Sequence, residues 1–167
     1  IFSKKNLKKI ALTLAIMFIL LNVIAFFHAY KFTHFSEADI KKTNSPSELS
    51  TSEKLKTLFF GINNPKPQNK ITPKKSYNTI HIKSNKKIEC WEIKSSLSIG
   101  TVIIFHGYSG EKSSMLDKAG VFLDLGYSVL LVDFMGCGGS EGTQTTLGYY
   151  EAIEVLSAFN YIVDSGE

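Results

Sequence analysis

The sequence predicts an α/β fold: an antiparallel hairpin, then parallel strands with crossover helices, the whole preceded by a transmembrane helix. Three observations predict it. Residues 101–105 and 128–134 are strand-length runs, apolar throughout their centres, the pattern of strands covered on both faces. One helix-length segment joins them, which completes a βαβ unit. A third apolar run, 10–27, is long enough to cross a bilayer.

The N-terminal tail, 1–9, carries Lys4, Lys5, Lys8 and Lys9. The run that follows is interrupted only by Thr13 and Asn22, neither charged. Eighteen helical residues span about 27 Å, close to the hydrocarbon thickness. Phe26, Phe27, His28 and Tyr30 suit the far interface, so the anchor is placed at 10–30 with the lipid bilayer as its partner. The four lysines predict a single-pass topology with a cytoplasmic N-terminus and the rest extracytoplasmic. Lys31, Lys41 and Lys42 keep that bias small. The rival is a cleaved signal peptide, whose apolar core is usually about 7–15 residues. Its best cleavage site, Val23-Ile24-Ala25, would leave Phe26-Phe27 at the new terminus. The retained anchor is the preferred reading.

Residues 31–75 read as a polar stalk, rich in Ser, Thr, Lys and Asn. Within it Ser50-Thr51-Ser52-Glu53 fits a capping box, in which the hydroxyl covers the N3 amide and the carboxylate reaches back. Leu55, Leu58, Phe59 and Ile62 follow at helical spacing and Gly61 suits the C-terminal cap, giving a short amphipathic helix at 51–61. So short a helix is marginal in water and needs a surface. Pro65, Pro67 and Pro73 end it, and the domain is expected from 76 to 167.

From Tyr77 the period changes to two. Thr79, His81 and Lys83 alternate with Ile80 and Ile82, Ser84-Asn85-Lys86 turns the chain, and 87–94 gives the hairpin's second strand. Met115, Ala119, Phe122 and Leu123 form a helical stripe that stops at Gly126. From Leu147 to Ile162 apolar residues sustain a second helix of about five turns.

Charge is divided along the chain. Residues 1–94 carry net +11 and residues 95–167 net −7. Nucleic acid is a poor partner for the basic part. It has no arginine, and its lysines are scattered among Asn, Ser and Thr rather than set on one helical face. The two cysteines, Cys90 and Cys137, offer no metal spacing and no disulfide framework, though an oxidising compartment would permit a bond between them.

The chemistry lies where the two parallel strands end. One runs into Phe105-His106-Gly107-Tyr108-Ser109-Gly110. The other runs into Val132-Asp133-Phe134-Met135-Gly136-Cys137-Gly138-Gly139-Ser140-Glu141-Gly142. These paired loops resemble those of the α/β-hydrolase superfamily, in the branch holding monoacylglycerol-lipase-like and serine-aminopeptidase-like enzymes. The resemblance covers roughly residues 76–165. It departs at Met135, where that branch usually has Arg, and at Cys137, where His or Tyr is common.

The resemblance implies a membrane-anchored serine hydrolase acting on a small acyl or peptide substrate through an ester, thioester or amide carbonyl, with no metal and no organic cofactor. Tyr108 would donate its backbone N–H to the oxyanion. His106, Gly107, Ser109 and Gly110 would shape that loop. Asp133, Gly136, Gly138 and Ser140 would border the site from the second loop. His106 is expected to brace its loop rather than act as a base. Asp133 precedes the place of the family's triad acid and is expected to tie down the glycine loop. Gly138-Gly139-Ser140-Glu141-Gly142 spells Gly-x-Ser-x-Gly, but an elbow serine needs a strand and a helix that follow directly, and here the strand has already ended. The same glycines miss the dinucleotide fingerprint, because its third glycine would fall on Glu141. No nucleophile, acid or base is therefore assigned. With Ile1 at its start and Asp164-Ser165-Gly166-Glu167 at its end, the chain is expected to be the N-terminal part of a longer enzyme and inactive alone. The alternatives are a non-catalytic binding protein of the same fold, or an enzyme of dehalogenase or epoxide-hydrolase type with Asp at the elbow.

Overall fold

The computed structural model describes residues 3–37 and 40–166. The first two residues of the basic tail, residues 38–39 of the stalk and residue 167 lie outside the described residues. The chain divides into two compact units, residues 1–32 with 41–64, and residues 33–40 with 65–167.

The first unit holds two helices. Helix α1, Lys4–Thr33, buries none of its side chains, and it is long and apolar enough to cross a membrane. An N-terminal signal sequence has the same character. Helix α2, Thr51–Phe60, begins at the expected capping box. The Glu53 amide donates to Ser50 Oγ, and the Ser50 amide donates to Glu53 Oε2 at 2.9 Å. Gly61 closes it at φ 74°, with its amide on the Thr57 carbonyl.

The second unit is built on a mixed four-stranded sheet: β1 Asn78–Lys83, β2 Lys87–Ile93, β3 Thr101–Phe105 and β4 Ser128–Val132, in the order β1-β2-β4-β3. The hairpin β1–β2 is antiparallel, β2 pairs antiparallel with β4, and β3 pairs parallel with β4. Side chains alternate in direction along a strand, so the inner strands feed two cores. Ile88, Cys90, Leu130 and Val132 face Ala158 and Ile162 of helix α4, Glu151–Asp164. Trp91, Ile93, Val129 and Leu131 face Ala119 of helix α3, Leu116–Asp124. Leu130 is fully buried. Leu130→Ala is expected to cost about 2–5 kcal/mol, read as a lower urea midpoint with an unchanged slope.

Several boundaries differ from the sequence expectation. The strand expected to reach residue 134 stops at Val132: the Asp133 amide still donates to the Glu89 carbonyl, but the Ser140 hydroxyl takes the return bond between the Glu89 amide and the Asp133 carbonyl, and the Phe134 amide goes to the His106 ring. Every residue of β4 is buried, but β3 is mostly half-buried, since it lies at the end of the strand order with β4 as its one neighbour among the described strands. The final helix has 14 residues, about four turns, instead of five. Leu147 and Gly148 take positive φ, which no helix accommodates. The expected stalk is shared between the two units. Residues 33–37 and 65–70 belong to the sheet's unit: Phe35 donates its amide to the Thr143 carbonyl, and Lys66 donates its own to Ser36.

Candidate active site

Strands β3 and β4 run parallel with Phe105 opposite Val132, so the loops that follow them emerge at one rim of the sheet. That rim, at the carboxyl ends of parallel strands, is the usual ligand side of an open α/β sheet. Both loops line one cavity of about 470 Å³. His106, Gly107, Tyr108 and Ser109 come from the first loop, and Phe134, Met135 and Cys137 from the second. Phe35, the turn at residues 145–148 and the N-terminal part of α4 close the remainder.

The first loop is a tight turn. Ser109 has φ 52°, and Gly110 donates its amide to the Gly107 carbonyl at 3.1 Å. A side chain at Gly110 would press on that same carbonyl. His106 is buried and has both ring nitrogens engaged. Nε2 accepts the Phe134 amide at 3.1 Å, and Nδ1 lies 2.8 Å from the Gly107 carbonyl. A backbone amide can only donate, so these partners assign the ring proton to Nδ1. The imidazole thus joins the two loops through their backbones. Tyr108 stands at the cavity with its ring half-exposed, 6.3 Å from that of Phe35.

Behind the cavity lies a cluster of charges in which Asp133 and Lys112 are sealed from water and Glu89 is partly exposed. Asp133 is fully buried and accepts the Lys112 amide (2.7 Å), the Asn69 side chain (2.7 Å), the Gly139 amide (3.0 Å) and Lys112 Nζ. His106 Nε2 is 4.0 Å from its Oδ1. Lys112 is equally buried. Its ammonium also reaches Glu89 Oε1 at 2.7 Å and sits 4.4 Å from the centre of the Trp91 ring. Gly138 has φ 50°, and a Cβ there would fall into the Asp133 carboxylate. The glycine is required by both the backbone turn and the close approach.

Ser140 is buried, its hydroxyl donating to the Asp133 carbonyl at 2.7 Å and accepting the Glu89 amide at 2.8 Å. It lies outside the cavity lining, although its neighbours spell the nucleophile motif. Gly136 has φ 74° and lies against the backbone of Gln144, where no side chain fits. Cys90 and Cys137 are both free thiols. Burial pushes each up to about 12, so neither is an activated nucleophile.

Sequence reasoning missed Lys112, Glu89, Asn69, Glu151 and Glu154. The one available signal was Lys112 itself, one of two lysines in the acidic part of the chain and two residues after Gly110. Two carboxyls of α4 complete the rim. Burial pushes Glu151 up, but hydrogen bonds from Thr145 and Thr146 outweigh it and hold the carboxyl at about 2. The Gly148 amide joins them at 2.8 Å, so this one side chain ties the irregular turn to the start of α4. Glu154 is pushed up to about 7 by burial, against the hydrogen bond it accepts from the Met135 amide at 3.0 Å. Among the described residues its Oε1 accepts no well-formed hydrogen bond, with the Asn85 side chain the donor that bears on the carboxyl.

These two shifts act on opposite limbs of a pH profile. Glu154 binds its proton more tightly when folded, so its contribution is present below about 4.5 and is lost as pH rises through about 7. Glu151 binds its proton less tightly when folded, so its contribution is present above about 4.5 and is lost as pH falls towards about 2. Stability is expected to fall by roughly 1–3 kcal/mol between about pH 5 and about pH 8. Glu154→Gln should flatten that limb in urea titrations and leave the acid limb in place.

Among the described residues, Ser109 lies in the loop between β3 and α3 and Ser140 in the glycine loop, neither of them in a Gly-x-Ser-x-Gly that joins a strand directly to a helix, and no group of three His, Cys, Asp or Glu could hold a metal ion. No family profile matches the sequence, and no curated protein matches it. Solved structures do. The chain is similar to an esterase of Pyrococcus furiosus, with 30% identity and a TM-score of 0.55 over 61% of this chain and 42% of the esterase. A second crystal form of that esterase gives 25% identity and a TM-score of 0.53 over 61% and 43%. This chain therefore spans less than half of the esterase's length. Its mixed four-stranded sheet matches part of the α/β-hydrolase fold.

Proposed function

We propose that these residues form the oxyanion-hole portion of a membrane-anchored serine hydrolase acting on an ester, thioester or amide. One observation carries the reading: the His106–Gly110 turn and the loop from Asp133 to Gly142 follow adjacent parallel strands, and His106, Gly107, Tyr108 and Ser109 of the one and Phe134, Met135 and Cys137 of the other border one cavity. The similarity to an esterase supports it, and the two loop motifs fit the monoacylglycerol-lipase-like and serine-aminopeptidase-like branch.

In this mechanism a serine outside the described residues attacks the substrate carbonyl. A histidine takes the hydroxyl proton and later gives it to the leaving group. The carbonyl oxygen becomes an oxyanion, and the Tyr108 N–H donates to it. Fixed donors of this kind stabilise the transition state because they need not reorganise as charge develops. His106, with its ring nitrogens engaged on Phe134 and Gly107, holds the turn open. Asp133 and Lys112 hold the second loop against the first. The apolar cavity takes the acyl or side-chain portion of the substrate. Helix α1 keeps the domain at the membrane, on the side away from the N-terminal lysines.

The test is fluorophosphonate labelling of the longest protein encoded in this reading frame. Labelling of a serine in a Gly-x-Ser-x-Gly that follows an apolar strand is the expected result. Folded protein that takes no label would instead favour a binding protein of the same fold. A reporter fused after residue 75 should be active outside the cytoplasm, and cytoplasmic activity would reverse the orientation.

A further inference from the structure

Helix α2 has ten residues and buries none of them. At 100° per residue, Leu55, Leu58 and Phe59 share one face, Lys54 and Lys56 flank it, and Glu53 and Thr57 lie opposite, joined there by the helix's last residue, Phe60. The three apolar side chains are 49–60% exposed. So short a helix gains too little from its own hydrogen bonds to stand in water with that face uncovered.

Its position relative to α1 says what covers it. The imidazole Nε2 of His28 lies 2.8 Å from the Leu58 carbonyl, which accepts its proton. Gly61 packs against α1 between His28 and Lys31. A Cβ there would stand 3.3 Å from the Lys31 side chain, so the close approach uses a glycine. His28 is the first residue after the apolar run 10–27. If that run spans the bilayer, the C-terminal end of α2 is pinned at the level where hydrocarbon meets headgroups. An exposed apolar face flanked by lysines then lies at the depth suited to it. Such helices rest in the interface with the apolar side about 5–10 Å into the headgroup boundary, their lysine stems along the apolar surface and ammonium groups at the phosphates. Lys41 and Lys42 line a cleft with Glu53, Lys56 and Thr57 on the polar side of α2, so the lysines that serve the apolar face are Lys54 and Lys56.

The geometry points to α2 as a second membrane contact, an interfacial helix bound to the anionic headgroup layer of the leaflet where α1 emerges. It rests on the reading of α1 as a retained anchor.

The test uses nitroxide labels on the chain reconstituted in mixed phosphatidylcholine–phosphatidylglycerol vesicles. Cys90 and Cys137 are buried and stay unlabelled. Labels at Leu55→Cys and Phe59→Cys should show an oxygen-to-nickel accessibility ratio several-fold above that of Thr57→Cys. The contrast should shrink in pure phosphatidylcholine. Equal ratios at all three positions, or labels at 55 and 59 immobilised whatever the lipid, would overturn the proposal. A label at Leu20→Cys separates the two readings. If it lies deep while 55 and 59 lie in water, only the interfacial helix fails. If Leu20→Cys is itself open to nickel, the anchor fails and the interfacial helix with it.

Discussion

Asp133→Ala is expected to cost about 3–5 kcal/mol, because it strips the main counter-charge from a buried ammonium. That is a large share of the roughly 5–15 kcal/mol that stabilises a typical domain. With Asp133 gone, Lys112 keeps Glu89, whose side chain is 21% exposed, and the face of Trp91. The Lys112 and Gly139 amides and the Asn69 side chain each lose an acceptor. Asp133→Asn should cost nearly as much. It loses the charge that balances Lys112, and in either orientation its NH2 meets a donor: the Lys112 amide at the Oδ1 position, or Lys112 Nζ, Asn69 and Gly139 at the Oδ2 position. The cycle with Lys112→Met makes the argument specific. Removing the ammonium as well should recover part of the loss, since a paired deletion leaves no isolated buried charge. Urea unfolding of the four proteins measures it. A single-mutant cost below about 1 kcal/mol, the range of an exposed pair, would mean that water reaches this cluster.

The contrast between that cluster and the sheet explains what the sequence disclosed. The period-two alternation in 79–93 and the apolar runs at 101–105 and 128–132 carried the strands and both core faces, because burial of apolar side chains is a local, periodic signal. The capping box at Ser50 was legible for the same local reason. Lys112 was not. A lysine in a loop has no period, and it is buried only because Asp133, Glu89 and Trp91 arrive from other strands. Phe35 was missed in the same way: one apolar residue in a polar stretch forms no pattern, yet it is 5% exposed and borders the cavity. The start of α4 was misjudged because Glu151 accepts from the turn just before it, a local side-chain-to-backbone bond that competes with extending the helix and leaves no trace in the apolar pattern. The candidate site was legible as two loops, through glycines whose positions are dictated by φ and close approach. The network that holds the loops together was not.

Removing a single backbone proton at residue 108 should have the largest effect on activity. In the complete enzyme proposed above, Tyr108→Pro deletes the N–H that would meet the oxyanion and is expected to lower kcat by about 10²–10³-fold, the loss found when one such donor is removed. Tyr108 lies outside the positive-φ residues, and its predecessor Gly107 has no side chain to collide with a proline ring. Proline therefore suits this position better than most. Tyr108→Ala keeps the amide while removing the ring beside Phe35, and its activity should stay within several-fold of the parent, the change falling mainly on KM. The pair separates amide from side chain. An alanine variant as damaged as the proline variant would assign the role to the phenol ring. A proline variant with full kcat and an unchanged urea midpoint would remove residue 108 from the oxyanion hole. Such an outcome would leave the cavity between the loops as a binding surface, because nothing else in the His106–Gly110 turn is proposed to act on the reacting carbonyl.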